Sequence, residues 1–395
     1  MGLYRGLLTS SIASLAGKLI PTNEDKIVFY STPDLQDNTL YVFKYYYRHH
    51  RHDKELVWVV RDEKIGHFIK REFPEVRVVK AFTLSATKEL AEAKIVFESD
   101  LLPFSPSKNQ VIFQLWHGLP GKKTGYAHPK RIKDFYIYFN RWLTHFSTTS
   151  EIVTSAYITQ FRIDYEKFVM TGLPRNDALM TTSRKKAISL LEDILNTDLS
   201  RYSSVILYTP TYRFNSFDFD YNANVMLLQG LLKSKKMLQF LRENNIALLI
   251  KPHKIVLREV KRLRNQELPG VFFLENSMFI RRKAYINEIF PAVDLLITDF
   301  SSIYFDYLLT NKPVVFYVPD YKDLAIRSGF LLDYNVFAPG DKSHDIASLI
   351  NSIKRNLQDD PHEEWRGFVK RAVFNVGDDG DSTQRVVKYV RKVAS

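Results

Sequence analysis

Five short segments of this 395-residue chain combine turn-forming residues with cationic, imidazole or hydroxyl side chains. In chain order they are Gln114–Tyr126 (QLWHGLPGKKTGY), Gly172–Asp177 (GLPRND), Tyr208–Arg213 (YTPTYR), Lys251–His253 (KPH) and Thr298–Asp306 (TDFSSIYFD). Each follows an apolar, often β-branched run that is typical of a buried strand. Open α/β sheets bind ligands at their strand ends, and cations and helix N-termini bind phosphate. The segments therefore predict a site for an anionic, phosphorylated substrate.

His117 is the candidate general base. It follows Trp116, the last residue of a predicted strand, and precedes Gly118 and a pair of lysines. Glycine lets the backbone approach a ligand closely, and imidazole exchanges protons near neutral pH, as general-base catalysis requires. A lone histidine is more often structural, but its place between a strand end and a Gly/Lys-rich turn favours a catalytic role.

Arg175 is a candidate phosphate ligand in the second segment, because guanidinium is a planar fork of donors. The alternative is a plain turn in which Asn176 and Asp177 cap the next helix. We expect those two residues to form the cap and Arg175 to bind the ligand.

The third and fourth segments supply further donors. Thr211 follows Pro210 and offers a hydroxyl, although a plain exit turn from the strand explains this segment equally well. Lys251 and His253 come at the end of a buried-looking strand, where such a pair rarely serves packing. We therefore expect the pair to contact a phosphate.

In the last segment, Ser301 and Ser302 begin a predicted helix directly after the strand Leu295–Thr298. The free N–H groups and the dipole at a helix N-terminus attract an anion. Either serine could instead be only the N-cap, and the two roles are compatible.

The bulk composition restricts the class of function. A net charge of +12 and a pI near 9.4 predict an acidic partner, whether nucleic acid, an anionic membrane or a phosphate-rich substrate. The absence of cysteine excludes disulfides, thiolate metal sites and a cysteine nucleophile. P-loop, GxSxG and HExxH patterns are also absent. No Asp/Glu cluster suited to Mg²⁺ is visible, so neither a metal nor another cofactor is predicted.

Residues 1–21 are predicted to form an amphipathic helix that associates with a membrane. Its apolar residues at helical spacing are Leu3, Leu7, Leu8, Ile12, Leu15 and Leu19. An interfacial helix fits this pattern better than a signal peptide does, and a helix packed on its own domain is the open alternative. No run of about 18 apolar residues suggests a spanning helix.

Apolar strand-like runs alternate with helical stretches, as in a parallel, doubly wound sheet. The predicted strands are Lys26–Ser31, Glu55–Val60, Val76–Val79, Lys94–Phe97 and Val111–Trp116, then Val205–Thr209, Ala247–Lys251, Val271–Leu274, Leu295–Thr298 and Val314–Val318. The polar segment Asn196–Ser203 is interpreted as a linker. We therefore predict an α/β protein with two Rossmann-like domains facing a cleft, residues 22–198 and 199–395. A last helix, Ser382–Val393, has Ser382 as a plausible N-cap and could pack back onto the first domain.

The ordered set WHGLPGKK, GLPRND, YTPTYR, KPH and TDFSSIYFDYLLTNKPVVFY resembles the CDP-glycerol glycerophosphotransferase family, the teichoic-acid primases and polymerases. Singly these motifs are common, but five in order at compatible spacing are specific. The resemblance implies a GT-B-like fold with an N-terminal acceptor domain and a C-terminal CDP-glycerol-binding domain. It also implies transfer of glycerol phosphate from CDP-glycerol to a lipid-linked polymer, by a peripheral protein at the cytoplasmic face of an anionic membrane.

The same resemblance implies roles for individual residues. The essential histidines of the family fall on His117 and His253. The donor contacts fall on Trp116, Gly118, Arg175, Pro210, Thr211, Lys251, Ser301, Ser302 and Asp306. Lys254 departs from the family pattern, in which proline frequently follows KPH, and the long N-terminal extension of some polymerases is absent.

The predicted reaction is attack of the acceptor's terminal hydroxyl on the β-phosphorus of CDP-glycerol, with release of CMP. Such phosphoryl transfer depends mainly on positioning and charge neutralisation. One alternative is CDP-ribitol as donor, and another is a nucleotide-sugar glycosyltransferase of the same architecture. A non-catalytic binder of nucleic acid or anionic polymer is disfavoured, because the basic residues cluster at separated strand ends and form no continuous stripe.

Overall fold

The computed structural model describes residues 20–102, 106–107, 109–128, 139–211, 213–215, 218–219, 221–252, 256, 262, 268–322, 325 and 329–395. The chain divides into two compact units. The first unit comprises Met1–Gly118, Thr124–Met180 and Val373–Ser395, and the second comprises Leu119–Lys123 and Thr181–Ala372. The second unit thus begins before the boundary placed at residue 198. The predicted N-terminal helix lies, apart from its last two residues, outside the described residues.

The first unit is built on a parallel seven-stranded sheet with the order β3-β2-β1-β4-β5-β6-β7. Its strands are β1 Asn23–Tyr30, β2 Glu55–Val60, β3 Arg77–Lys80, β4 Ala93–Glu98, β5 Val111–Gln114, β6 His145–Thr148 and β7 Phe168–Met170. Its helices are α1 Asp37–His50, α2 Glu63–Glu72, α3 Leu84–Glu92, α4 Phe139–Trp142, α5 Glu151–Phe161 and α6 Pro174–Thr181, together with the C-terminal helix described below. The strand order changes direction between β1 and β4.

The central strands of this sheet contain apolar runs because helices cover both faces of a parallel sheet. In β1, the residues from Ile27 to Tyr30 are all buried. Phe29 of β1 stacks on Trp58 of β2 and on Phe97 of β4, with ring centroids 5.8 Å apart in each pair. This aromatic layer packs β1 against its two neighbours at the centre of the sheet.

The second unit has a parallel six-stranded sheet with the order β12-β11-β8-β13-β14-β15. Its strands are β8 Ser204–Thr209, β11 Ile246–Ile250, β12 Val271–Phe273, β13 Leu295–Thr298, β14 Val314–Tyr317 and β15 Asp341–Ser343, and a two-stranded hairpin is formed by β9 Phe214–Asn215 and β10 Asp218–Phe219. Its helices are α7 Arg184–Leu195, α8 Tyr221–Leu232, α9 Lys235–Glu243, α10 Asn276–Arg281, α11 Ile303–Tyr307, α12 Tyr334–Phe337, α13 Ile346–Gln358 and α14 Glu363–Val373. Here the strand order changes direction between β8 and β13.

The C-terminal helix, α15 (Ser382–Ala394), packs within the first unit, where Tyr389 contacts Phe113 of β5. The prediction that Ser382 is the N-cap of this helix is wrong, because Ser382 is the first helical residue. The residue before it, which occupies the N-cap position, makes no side-chain cap bond. Instead, the carboxylate of Asp177 accepts the backbone N–H groups of Ser382 and Thr383 at 2.8 and 2.6 Å. Asp177 was expected to cap the next helix in the chain. It caps instead the C-terminal helix α15, which is distant in sequence.

Two strands at one edge of the first sheet, β6 and β7, were not predicted, nor was β15 at one edge of the second. All three are short, and β6 (HFST) and β15 (DKS) are rich in polar residues. Among the residues that the structure describes, no helix combines the length and the apolarity needed to cross a bilayer.

Candidate active site

His117 lies close to the point where the strand order of the first unit changes direction, which is where open α/β sheets bind ligands. It follows β5, and its Nδ1 is 2.7 Å from the carbonyl oxygen of Ser99, which follows β4. A carbonyl oxygen can only accept, so Nδ1 carries the proton and Nε2 keeps its lone pair. Because the side chain is exposed, His117 is oriented to take a proton through Nε2.

Trp116 holds the turn that presents His117. Its indole is buried and lies 4.2 Å from the imidazole, measured between ring centroids. Its backbone is left-handed (φ 53°), an uncommon conformation for a residue other than glycine. Gly118 does not take up this conformation, and its carbonyl accepts the Tyr157 hydroxyl at 2.9 Å. The tryptophan side chain thus orients the histidine from the protein interior.

A buried carboxyl group, Glu98, lies behind the same turn. It accepts hydrogen bonds from Gln114 Nε2 at 2.9 Å and from the backbone N–H of Leu102 at 3.1 Å, and Gln114 Oε1 accepts the N–H of Trp116 at 2.8 Å. Burial raises the pKa of Glu98 well above its ordinary value. The raised pKa favours the uncharged form of Glu98, which adds no negative charge near the site.

Arg175 is also brought to this end of the sheet, but its guanidinium is buried. Its Nη1 is 2.7 Å from Oδ1 of Asp37, and both side chains are almost inaccessible to solvent. Its backbone N–H donates to Oδ1 of Asn38 at 3.0 Å. In this state Arg175 is paired with a carboxylate, so an incoming phosphate would compete with Asp37 for it.

In the second unit, Thr211 lies where the strand order changes direction, beyond the end of β8. Its backbone N–H donates to both carboxylate oxygens of Asp299, at 2.9 and 3.0 Å, and Asp299 follows the neighbouring strand β13. The Thr211 hydroxyl is buried and has no hydrogen-bond partner among the residues that the structure describes. A buried hydroxyl without a partner is unfavourable unless a ligand or water satisfies it, so this group is suited to a donor substrate.

Arg213 joins the loops at this end of the second sheet. It is buried between Asp299, at 2.7 Å, and Asp320, at 2.5 Å. Burial lowers the pKa of Arg213, but together the two carboxylates raise it by more than burial lowers it. The guanidinium therefore stays charged. In the described part of the chain, no group of three His, Asp or Glu residues is placed to hold a metal ion.

Lys251 follows β11, the strand adjacent to β8, and its backbone N–H donates to the carbonyl of Tyr208 at 2.9 Å. Desolvation lowers the pKa of its ammonium group from 10.5 to about 8. Within the described residues, no carboxylate pairs with this lysine. A desolvated ammonium group without a counter-ion is suited to bind an anion.

The other predicted donor residues of the second unit lie after β8 and β13. Pro210 directly follows β8 and is half-buried, as are Ser301 and Ser302 at the start of α11. Ser302 occupies the N-cap position but makes no side-chain cap bond, which leaves its hydroxyl available. Asp306 is buried within α11. His253 lies outside the described residues.

The family model for CDP-Glycerol:Poly(glycerophosphate) glycerophosphotransferase matches residues 13–392 of the chain. The chain belongs to this family. The resemblance stated from the five segments is therefore confirmed, and so is the prediction of a CMP-releasing glycerophosphotransferase that uses CDP-glycerol.

Several curated proteins resemble this glycerophosphotransferase over most of its length. A teichoic acid poly(glycerol phosphate) polymerase of Bacillus spizizenii is 27% identical, with 98% of this chain and 97% of that protein covered. A teichoic acid glycerol-phosphate transferase of Staphylococcus aureus is 24% identical, with 94% of each chain covered. A poly(ribitol-phosphate) polymerase of Bacillus spizizenii is 26% identical, but only 57% of that longer protein is covered.

Solved structures confirm the predicted fold class. A structure of the wall teichoic acid polymerase TagF has a TM-score of 0.78 at 19% identity and covers 99% of this chain and 94% of its own. A UDP-GlcNAc 2-epimerase of Neisseria meningitidis has a TM-score of 0.55 at 13% identity and covers 94% of this chain and 100% of its own. The glycerophosphotransferase therefore has two parallel-sheet, Rossmann-like domains of the GT-B type.

Several residues of the candidate site were not identified from the sequence. Asp37, Asn38, Glu98, Arg213 and Asp299 were assigned no role in the site. A usable signal did exist for Asp299, because a carboxylate directly after a central strand is placed to accept the N–H groups of neighbouring loops. The partners of Asp37 and Asn38 are far away in sequence, so no local pattern indicated them.

Proposed function

We propose that this glycerophosphotransferase elongates a lipid-linked polymer by transferring glycerol phosphate to its terminal hydroxyl, with His117 as the general base. The observation that carries the proposal is the hydrogen bond between Nδ1 of His117 and the carbonyl of Ser99. It fixes the tautomer in which Nε2 accepts a proton, on an exposed side chain at a ligand-binding edge of the sheet.

The proposed step balances as follows. The acceptor oxygen forms a bond to the β-phosphorus of CDP-glycerol, and the bond from that phosphorus to the bridging oxygen breaks. CMP leaves with the electron pair of the broken bond, and the acceptor proton moves to Nε2 of His117. Little covalent assistance is needed, so positioning and charge neutralisation supply most of the acceleration.

The donor diphosphate is proposed to bind in the second unit. The support is the grouping of Thr211 and the Ser301–Ser302 pair beyond the ends of β8 and β13, with Lys251 following the adjacent strand β11. The buried Thr211 hydroxyl and the desolvated Lys251 ammonium group are both left without a protein partner among the described residues. Both would be satisfied by phosphate oxygens. Trp116, Gly118, Arg175, Pro210 and Asp306 remain proposed donor contacts, and His253 remains a proposed catalytic residue.

Glycerol is favoured over ribitol as the transferred group. The support is that this chain covers 97% of the poly(glycerol phosphate) polymerase but 57% of the poly(ribitol-phosphate) polymerase, at nearly equal identity. Purified protein incubated with either CDP-glycerol or CDP-ribitol and a lipid-linked acceptor should release CMP faster from CDP-glycerol. A reversed preference would select the ribitol alternative, and release of CDP from CDP-glucose would select the glycosyltransferase alternative.

Replacement of His117 tests the catalytic assignment. His117→Ala should lower kcat by about 100-fold or more, within the range for the loss of a general base, and leave the KM for CDP-glycerol nearly unchanged. His344→Ala is a matched control, because Nδ1 of His344 also bonds a backbone carbonyl, that of Val318 at 3.0 Å. The control should keep kcat within about twofold, and near-normal turnover by His117→Ala would exclude the proposed role.

Peripheral attachment to the anionic cytoplasmic leaflet is proposed for the membrane partner. Besides the predicted N-terminal helix, the described structure offers a basic surface where the C-terminal ends of α1 and α15 meet. Its exposed cations are Arg48, Lys388, Arg391 and Lys392. Each such cation contributes about 1 kcal/mol near an anionic lipid surface, and salt screens the attraction.

Co-sedimentation with vesicles separates the two modes of attachment. Replacing Lys388, Arg391 and Lys392 with glutamine should weaken binding to phosphatidylserine-containing vesicles by about 100-fold. Deleting residues 1–19 should remove the apolar part of the binding and spare activity on a soluble acceptor analogue. If the deletion instead lowers the melting temperature and abolishes both properties, this segment belongs to the core. Equal sedimentation of all forms with neutral and anionic vesicles would exclude attachment by either surface.

A further inference from the structure

The first residues of helix α1 form hydrogen bonds with the turn that carries His117. We propose that Asn38 is a positioning residue for this histidine, an inference that rests on the proposed catalytic role of His117. Asn38 contacts neither the imidazole nor any reacting atom in this account. It acts through the backbone on which the imidazole is mounted.

The Asn38 side chain is completely buried, and it bonds three backbone groups of two loops. Its Nδ2 donates to the carbonyl oxygens of Leu115 and Trp116 at 3.1 and 2.9 Å, and its Oδ1 accepts the N–H of Arg175 at 3.0 Å. The carbonyls can only accept and the N–H can only donate, so the partners fix which way the amide points. One side chain thereby ties the turn after β5 to the start of α6.

The two carbonyls that Asn38 holds lie on either side of the strained residue of the turn. Trp116 is left-handed at φ 53°, a conformation that is unfavourable for an L-residue other than glycine. Such a conformation persists only when the surrounding structure holds it. If the Nδ2 donors were removed, the carbonyls of Leu115 and Trp116 would lose these hydrogen bonds. The turn would then relax away from its present geometry.

The next residue, Thr39, holds the other side of the histidine. Its backbone N–H donates to Oγ of Ser99 at 3.0 Å, and its hydroxyl lies 2.6 Å from the same oxygen. The carbonyl of Ser99 is the group that fixes Nδ1 of His117. Consecutive residues of α1 therefore set both the backbone that carries the imidazole and the carbonyl that fixes its tautomer.

Asn38→Asp is the sharpest substitution, because it keeps the shape and the acceptor oxygen but replaces the amide donor with a carboxylate that faces two carbonyls. We expect kcat to fall by about 10- to 100-fold, the effect of a displacement near 1 Å at a reacting group. The KM for CDP-glycerol should change by less than kcat does, because the proposed diphosphate-binding side chains of the second unit are untouched.

Gln110→Glu is the matched control in the same unit. The Gln110 side chain is also a buried amide, and it donates to the carbonyls of Leu90, Ala91 and Ala93 and accepts the N–H of Ser107. It lies before β5, at the end of the strand opposite His117. The Gln110→Glu variant should lower the melting temperature as much as Asn38→Asp does, but its kcat should stay unchanged. If Asn38→Asp does not fold, Thr39→Val is the second variant, because it removes only the hydroxyl that contacts Oγ of Ser99 and donates to the carbonyl of Tyr30. It carries the same expectation of a lower kcat and a smaller change in KM.

A double-mutant cycle separates positioning from a general loss of structure. In a His117→Ala background, Asn38→Asp should cause no further loss of kcat, because the group that it positions is already gone. An equal loss in both backgrounds, or a normal kcat for Asn38→Asp in the wild-type background, would overturn the inference. If His117→Ala alone keeps normal turnover, the proposed catalytic role fails instead, so the two failures are distinguishable.

Discussion

Replacing Lys251 with methionine should stabilise the second unit and at the same time weaken the binding of CDP-glycerol. The lysine follows β11, and desolvation lowers the pKa of its ammonium group from 10.5 to about 8. Between these two values the unfolded chain binds more protons than the folded protein, so stability rises with pH there. Below pH 8 the charged, unpaired ammonium group is a constant cost to folding.

The size of this cost follows from the pKa. A fall from 10.5 to about 8 corresponds to at most about 3 kcal/mol at 1.36 kcal/mol per pKa unit. Lys251 is only half-buried, so water screens part of this energy, and we expect Lys251→Met to stabilise the unit by about 1 kcal/mol at pH 7. That change should raise the unfolding temperature by about 2–4 °C.

The same group gives donor binding a distinct pH dependence. With the pKa of Lys251 at about 8, roughly 90% of the ammonium is protonated at pH 7 and about 10% at pH 9. If the diphosphate binds only the protonated form, the KM for CDP-glycerol should rise about tenfold between these pH values. Lys251→Arg should abolish this rise, because arginine stays charged throughout the range.

The assay is CMP release at pH 7 and pH 9, combined with thermal unfolding of the same variants. Lys342 is the control, because burial also lowers the pKa of its ammonium group to about 8, but this group donates to the carbonyl of Ala338 and lies over the Trp365 ring. Lys342→Met should leave the KM unchanged and give no stabilisation. A lower melting temperature and an unchanged KM in Lys251→Met would show that Lys251 is structural and would refute the reasoning.

Three further substitutions test the supports of the two sites. Asp299→Asn should raise the KM for CDP-glycerol and cost about 3 kcal/mol in chemical denaturation, because it breaks the buried pair with Arg213 and weakens the hold on Thr211; an unchanged KM would disconnect this pair from donor binding. Gly172→Ala should destabilise the first unit by more than about 3 kcal/mol, because φ is +79° and a Cβ atom would lie 2.5 Å from Oγ of Ser382; a wild-type melting curve would contradict this. Asp177→Ala should cost about 1 kcal/mol, as the loss of a helix cap does, and should speed amide hydrogen exchange at the start of α15; unchanged exchange there would show that the cap is dispensable.

The central strands could be predicted because burial on both faces leaves a continuous apolar run in the sequence. This holds for β8 and β13, whose residues are almost all buried, and for the buried second half of β1. Strand β6 (HFST), which pairs with β5 and β7, was missed because it is short and three of its four residues are polar, so it leaves no apolar run in the sequence. The segments that follow the central strands could then be recognised as candidate ligand sites from the sequence, since parallel strands all end at the same edge.

The state of individual side chains could not be read in this way. Arg175 was expected to bind the ligand, and its pairing with Asp37, which is far away in sequence, was not predicted. Asp177 was expected to cap the following helix, yet it caps the C-terminal one. In both cases the partner comes from another part of the chain, and a local pattern contains no information about which distant groups will meet.

The sequence by itself determined the family, the two parallel sheets and the strand ends that carry the candidate chemistry, because these depend on local periodicity and on short motifs. Only the tertiary structure decided that Nδ1 of His117 donates to the carbonyl of Ser99 and that Lys251 is desolvated, with no carboxylate paired to it in the described part of the chain. Proton positions and charge states depend on the groups within a few ångströms of an atom. Those groups come from separate strands and loops, and only the folded chain brings them together.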